Sequence, residues 1–221
     1  MSRKSIPPFD LNAFSGPFRA ETDRACAVLG AALLDARLEI LYKRRMRRFQ
    51  EDLLSNNGAL GTFSARIRVA RALAWISDDA YHDLDLIRKI RNEFAHNFDH
   101  ALSFQDQSIA SMCRELLVAK VLIEANEFAA SRPHRNLSAR LILAMGEPFR
   151  APRQRFEIAV EMLAQHLDQL PGESDEYNGP NLREDLWALG SEVNIKFSAT
   201  AFVGPVSPNA GEPEAAPLAP R

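Results

Sequence analysis

The stretch SDDAYHDLDLIRKIRNEFAHNF, residues 77–98, is the one on which the fold turns. Leu84, Ile87, Ile90, Phe94 and Phe98 recur at spacings of three and four, which at 3.6 residues per turn puts them on one face of a helix. Ser77 before Asp78 and Asp79 is a helix-start signal. A hydroxyl oxygen can accept from a free backbone N–H, and acidic side chains suit the positive end of the helix dipole. The spacing therefore predicts a helix to about Phe98 whose apolar stripe faces a core.

Upstream, Thr62 or Ser64 can cap a helix running to Ser77 with Ile67, Val69, Leu73 and Ile76 as its apolar positions, after the turn Ser55-Asn56-Asn57-Gly58. From about Glu21 to Leu53 the apolar residues fall on two tracks, Leu29, Leu33, Ala36, Ile40 and Leu34, Leu38, Leu41, which predicts a helix in contact on two sides. Downstream, Asp106 or Ser108 caps a helix with Ile109, Met112, Leu116, Ala119 and Ile123, beside Cys113 and Leu117, ended by Ser131 and Pro133. A short helical turn is expected over 137–145. Phe156, Val160, Leu163, Leu167 and Leu170 predict a last helix, stopped by Pro171 and Gly172.

The expected fold is all-α: a compact helical bundle of about five to six helices with a disordered C-terminal arm. Residues 1–17 read as a flexible lead-in, 18–171 as the bundle, and 172–221 as a Pro/Ala/Glu-rich tail whose composition does not support a packed core. Within that tail, the alternation Val193, Ile195, Phe197 reads as an irregular arm or as one strand added to a partner.

The 221 residues are 46% hydrophobic and 25% charged, enough for one domain with a real core. No uncharged apolar run approaches the roughly 20 residues of a membrane span, and a signal-peptide h-region is missing, so a cytoplasmic protein with no membrane partner is expected. Cys26 and Cys113 lie in helical apolar patterns with no CxxC, which points away from a disulfide framework or a cysteine zinc site. The net charge of -2 divides into +3 for residues 1–171 and -5 for the tail. That balance is too mild for a DNA-wrapping protein but leaves room for a local basic patch.

One dense basic run exists, Lys43, Arg44, Arg45, Arg47 and Arg48. These are the candidate nucleic-acid-binding residues, able to track phosphates. At about 100° per residue they cover more than half the helix circumference, so a solvated helix end, where cations favour the dipole, is the competing reading. His96 and His100 share a face, but no third ligand is spaced to close a metal site, and no metal or other cofactor is expected. Asn57-Gly58-Ala-Leu-Gly61 lacks the Lys of a phosphate-cradling loop and reads as a turn. Trp75, Phe94 and Phe98 lie in helical apolar tracks and read as core.

Arg91-Asn92-Glu-Phe-Ala-His96 carries the residue types of general acid–base chemistry on a phosphodiester. Arg can grip a phosphate bidentately, and a His titrating near neutral pH can move a proton. Five residues on a helix turn about 140° beyond one full turn, so Arg91 and His96 flank a groove, while Asn92 and His96 share a face. The structural alternative pairs Arg91 with an acidic residue of another helix, such as Asp23 or Asp35.

The blocks Gly58-Ala-Leu-Gly61-Thr-Phe-Ser64-Ala-Arg66-Ile and Ile87-Arg-Lys-Ile-Arg91-Asn-Glu-Phe-Ala-His96 resemble the mannitol operon repressor family of bacterial regulators. Glu21-Thr-Asp23-Arg24 and Leu34-Asp35 resemble that family's first helix, and the resemblance spans about Phe18 to Leu170. It implies a helical bundle in which Asp23, Arg24, Asp35 and Arg66 form a structural network. The implied role is transcriptional repression in a family with no recognisable DNA-reading helix-turn-helix; since no helix of this sequence presents a recognition pattern either, action through a protein partner is expected, with weak nonspecific nucleic-acid binding. The Arg-Asn-x-x-x-His pattern also resembles the motif of the HEPN ribonucleases, helical bundles that set two such motifs across a dimer interface. That resemblance implies a homodimer and, as the alternative function, a metal-independent endoribonuclease using Arg91, Asn92 and His96.

Overall fold

The computed structural model describes residues 8–46, 50–97, 102–130 and 151–170. Among the described residues there are eight helices and no strand: α1 Leu11–Ala20, α2 Asp23–Arg45, α3 Gln50–Leu54, α4 Phe63–Ala72, α5 Asp78–His96, α6 Gln107–Glu115, α7 Leu117–Ala130 and α8 Pro152–Gln169. The expected turn over 137–145, the strand at 193–197, Phe98, Arg47, Arg48, His100 and the arm from Gly172 lie outside the described residues.

The all-α reading holds, with differences in where helices begin and end. The lead-in carries a helix: Asp10 caps α1 by accepting the Ala13 amide at 3.1 Å, and Phe14 stacks on Phe18, which is buried. The helix expected from Glu21 to Leu53 ends at Arg45, with Gln50–Leu54 separate. Thr62 caps α4 through the Ala65 amide, but α4 stops at Ala72 rather than Ser77. There Ala74 turns left-handed, at φ 51°, and the Trp75 amide bonds back to the Ala70 carbonyl. This is the helix ending that usually takes Gly or Asn. Ile76 is buried from the loop beyond it.

Ser77 caps α5 as its sequence predicts, and Leu84, Ile87, Ile90 and Phe94 are all fully buried. Phe94 meets Phe104 at a centroid distance of 5.0 Å, and Phe104 meets Phe156 at 5.1 Å, so one chain of rings joins α5 to α8. The helix α8 is the centre of the bundle. It packs on α1, α2, α5, α6 and α7, and from Phe156 to Leu167 only Gln165 escapes full burial. A Cβ on Gly30 would come within 2.9 Å of Val160 Cγ2 and 3.1 Å of Phe156 Cε1, so glycine there lets α2 cross α8 closely.

The two tracks of α2 have different fates. Leu34, Leu38 and Leu41 are buried against α5 and α8. Leu29 and Ala36 of the other track are exposed, while Leu33 is half-buried against the core and Ile40 half-buried, so among the described residues the second side is covered only in part. Spacing alone cannot distinguish the two faces, since both satisfy the helical period.

Candidate functional site

Arg91, Asn92 and His96 sit on the last two turns of α5. Arg91 is half-buried beside the core stripe, and its Nη1 donates to Asn92 Oδ1 at 3.0 Å. Among the described residues no carboxylate lies within ion-pair distance of it. The acidic partners proposed for it are engaged elsewhere: Asp35 with Arg66, Asp23 with Arg153. The pairing of Arg91 with Asp23 or Asp35 is therefore corrected. His96 is exposed at the C-terminal end of the helix, and Arg24 Nη2 donates to the Asn97 carbonyl at 2.7 Å, closing that end. The arrangement offers a guanidinium without a carboxylate partner, and an accessible imidazole about 140° further round the helix.

The described members of the basic run diverge. Lys43 pairs with Glu39 at 2.5 Å. Arg44 points inward to the end of α8, where it donates to the carbonyls of Asp168 and Leu167 at 2.8 and 3.2 Å, a cation at the negative pole of that helix. Arg45 lies over the Trp75 ring, 5.3 Å from its centroid. In α4, Arg66 is buried and bonds to Asp35 at 2.5 Å and to Glu39 at 3.3 Å, and Arg71 bonds to Asp78 at 2.8 Å while covering the Tyr81 ring.

Asp23 and, separately, Asp35 with Arg66 are thus placed in two clusters, while Arg24 reaches the end of α5. The first centres on a residue that sequence reasoning missed. Arg153, at the start of α8, donates to Asp23 at 2.6 Å, to Glu157 at 2.8 Å and to the carbonyls of Arg19 and Glu21. Asp23 also accepts the Phe104 amide. Arg19 grips the fully buried Glu161 with two hydrogen bonds, of 3.0 and 2.6 Å. Burial pushes the Glu157 carboxyl up, and Arg153 opposes that shift. The signal was present: Glu157 and Glu161, four apart in an otherwise apolar segment, are charges where a core helix should have none.

Asp83 was also missed. It is fully buried on the core side of α5 and its two oxygens accept the amides of Leu117 and Val118 at 2.8 and 2.9 Å, capping α7 from another helix. That cap splits the helix expected from Asp106 to Ser131 at Leu116. Burial raises the Asp83 carboxyl above its ordinary value, against the pull of the two amides and of His82, whose Nδ1 lies 3.0 Å away. Beside this junction lies a groove of about 400 Å³ with Tyr81 and Leu117 in its wall, and both signs of charge, Arg71 and Lys89 against Asp78 and Asp85, on its rim.

Burial raises both thiols, Cys113 to about 12 and Cys26 further, so neither is a thiolate nucleophile at neutral pH. Among the described residues no group of three His, Cys, Asp or Glu side chains could hold a metal ion, and no helix is long and apolar enough to cross a membrane.

The Gly58–Gly61 block is a structural loop. The Gly58 amide bonds to Ser55, the Gly61 amide to Gly58 and the Leu60 amide to Leu53, and a Cβ on Gly58 would collide with the carbonyl oxygens of Asp52 and Leu53. Residues 45–145 match the family described as mannitol repressor. The resemblance read from the two long blocks therefore holds over that stretch, and the short blocks at 21–24 and 34–35 lie outside it. No curated protein and no solved structure matches the chain.

Proposed function

We propose, from the mannitol-repressor match over residues 45–145, that this chain is a cytoplasmic transcriptional regulator acting through contacts with another protein rather than by reading operator bases. The observation that carries the mechanism is where the cations go. Direct readout requires a helix that offers Arg, Asn or Gln to base edges from a basic surface. In α4, Arg66 and Arg71 are held by carboxylates; at the end of α2, Lys43 is paired and Arg44 caps α8. Nucleic-acid contact, carried by what remains of the basic run Lys43, Arg44, Arg45, Arg47 and Arg48, is then nonspecific, in the range of about 10⁻⁴ to 10⁻⁶ M at physiological salt. Fluorescence anisotropy on the upstream DNA of its own operon and on a scrambled duplex, across a salt series, tests this. Equal, salt-sensitive binding is expected. Nanomolar binding with a thousandfold preference for the upstream duplex makes the chain a direct reader.

One observation favours a second reading, a metal-independent ribonuclease using Arg91, Asn92 and His96: among the described residues the Arg91 guanidinium is held by an amide oxygen and by no carboxylate, which leaves it able to take a phosphate. Incubation with total RNA in the presence of chelator discriminates. Cleavage that His96→Ala abolishes supports the enzyme, and intact RNA supports the regulator.

A further inference from the structure

The end of α2 and the turn between α4 and α5, distant in sequence, meet at one place on the surface. Arg45, in the last turn of α2, holds its guanidinium over the Trp75 ring, 5.3 Å from the centroid. The same ring meets Tyr42 at 5.0 Å between centroids, and Tyr42 is fully buried, with its hydroxyl donating to the Arg66 carbonyl at 2.8 Å. Trp75 is thus backed by a fixed core residue, while Trp75 and Arg45 themselves are only half-buried.

The turn that carries the ring is strained. Ala74 stands in the left-handed region at φ 51°, and beside it Leu73 is 50% exposed, more than any other large hydrophobic side chain among the described residues. A residue other than glycine keeps that conformation only where its surroundings over-determine it, and such strain gathers at binding surfaces.

We infer that Arg45, Trp75 and Leu73 form a stacking platform for single-stranded nucleic acid. An aromatic ring and a guanidinium plane both give an unpaired base a face to lie on, whatever the base, and an exposed apolar side chain covers its edge. The phosphates meet cations on the neighbouring residues. Arg44 bonds to the carbonyls ending α8, and Asp168, 3.7 Å from it, is shared with Arg37 at 3.2 Å, so one carboxylate answers two guanidiniums. The basic run continues in sequence with Arg47 and Arg48. A duplex suits the platform poorly, because its bases are stacked on one another and show a protein only their edges. A lone nucleotide would need its phosphates cradled by backbone amides, and the Gly58–Gly61 loop spends the Gly58, Leu60 and Gly61 amides on its own carbonyls and on Leu53 and Ser55. The inference rests on the nucleic-acid contact of the regulatory reading and gives it a form: a base held by stacking and a backbone held by charge.

Tryptophan emission tests it. The chain has two tryptophans, Trp75 and Trp187, so the full chain carrying Trp187→Phe reports Trp75 alone. It is titrated with oligothymidine and with oligouridine of about 12 nucleotides, and with a duplex of the same length, at about 50 mM salt. Both single strands are expected to quench Trp75 to saturation and to bind about 10-fold tighter than the duplex, and the tighter of the two names DNA or RNA as the preferred strand. Arg45→Lys keeps the charge and removes the plane. It is expected to lose about 10-fold in affinity and most of the quenching, with the dependence of binding on salt unchanged. Leu73→Glu is expected to weaken binding similarly while its circular dichroism stays that of wild type, because Leu73 is exposed. Single strands that fail to bind, that bind without quenching Trp75, or that bind Arg45→Lys as they bind wild type overturn the platform. Each of those results leaves the regulatory reading standing where duplex binding is weak and indifferent to sequence. Nanomolar preference for the upstream duplex beside intact quenching does the reverse.

Discussion

The carboxylate of Asp83 accepts the backbone amide of Val118 at 2.9 Å, across 35 residues of sequence and from inside a helix with no other charge on its core face. Together with the Leu117 amide, it satisfies two of the four free N–H groups that any helix leaves at its start. The bond joins the helix of the Arg91 motif to α7, which packs on the central α8.

Asp83→Asn keeps the shape but sets an NH₂ group against one of the two amides. It is expected to destabilise the fold by about 1–3 kcal/mol in chemical denaturation at neutral pH. Because burial raises this carboxyl in the folded chain, the fold binds its proton at a higher pH than the unfolded chain does. The contribution of this group to stability is therefore largest below the ordinary carboxylate value and falls as pH rises through the folded one. The gap between wild type and variant should widen on going from neutral pH to about pH 4. A gap that narrows means that the carboxyl is held down rather than up.

Phe94 is fully buried and meets the Phe104 ring. Phe94→Ala is expected to cost about 3–5 kcal/mol. A variant melting within about two degrees of wild type shows that the core face of α5 is misassigned.

Arg91 and Arg66 should behave oppositely. Arg66 is 5% exposed and ties Asp35, Glu39 and the Leu54 carbonyl together, so Arg66→Met should cost about 1.5–3 kcal/mol. Among the described residues Arg91 holds only Asn92, and Arg91→Met should stay within about 0.5 kcal/mol of wild type. Equal losses in urea titrations of the two variants would contradict the assignment of Arg91 to a free role.

Ala74 holds a left-handed conformation, with φ 51°, at the end of α4. Ala74→Gly should relieve that strain and raise stability by about 0.5–1 kcal/mol, the reverse of the usual effect of glycine. A lower melting temperature for the glycine variant would rule the strained turn out.

Much of this protein was legible locally. The stripe Leu84, Ile87, Ile90, Phe94 and the caps at Thr62 and Ser77 depend on residues within one turn of each other, and such short-range rules survive whatever the chain later packs against. The apolar spacing of α8 was visible for the same reason, but its burial on every side was not, because only five surrounding helices make it central. On α2 the sequence determined that two apolar faces exist; tertiary packing decided that Leu34, Leu38 and Leu41 are core and Leu29 is not. The basic run determined a cluster of charge, and packing decided that Arg44 ends on the carbonyls of α8. Asp83, Arg153, Glu157 and Glu161 read as charges out of place within apolar or amphipathic helices, and only the fold supplies their amide and guanidinium partners. A periodicity specifies a surface, but which surface faces which is fixed by long-range contacts between groups far apart in the chain.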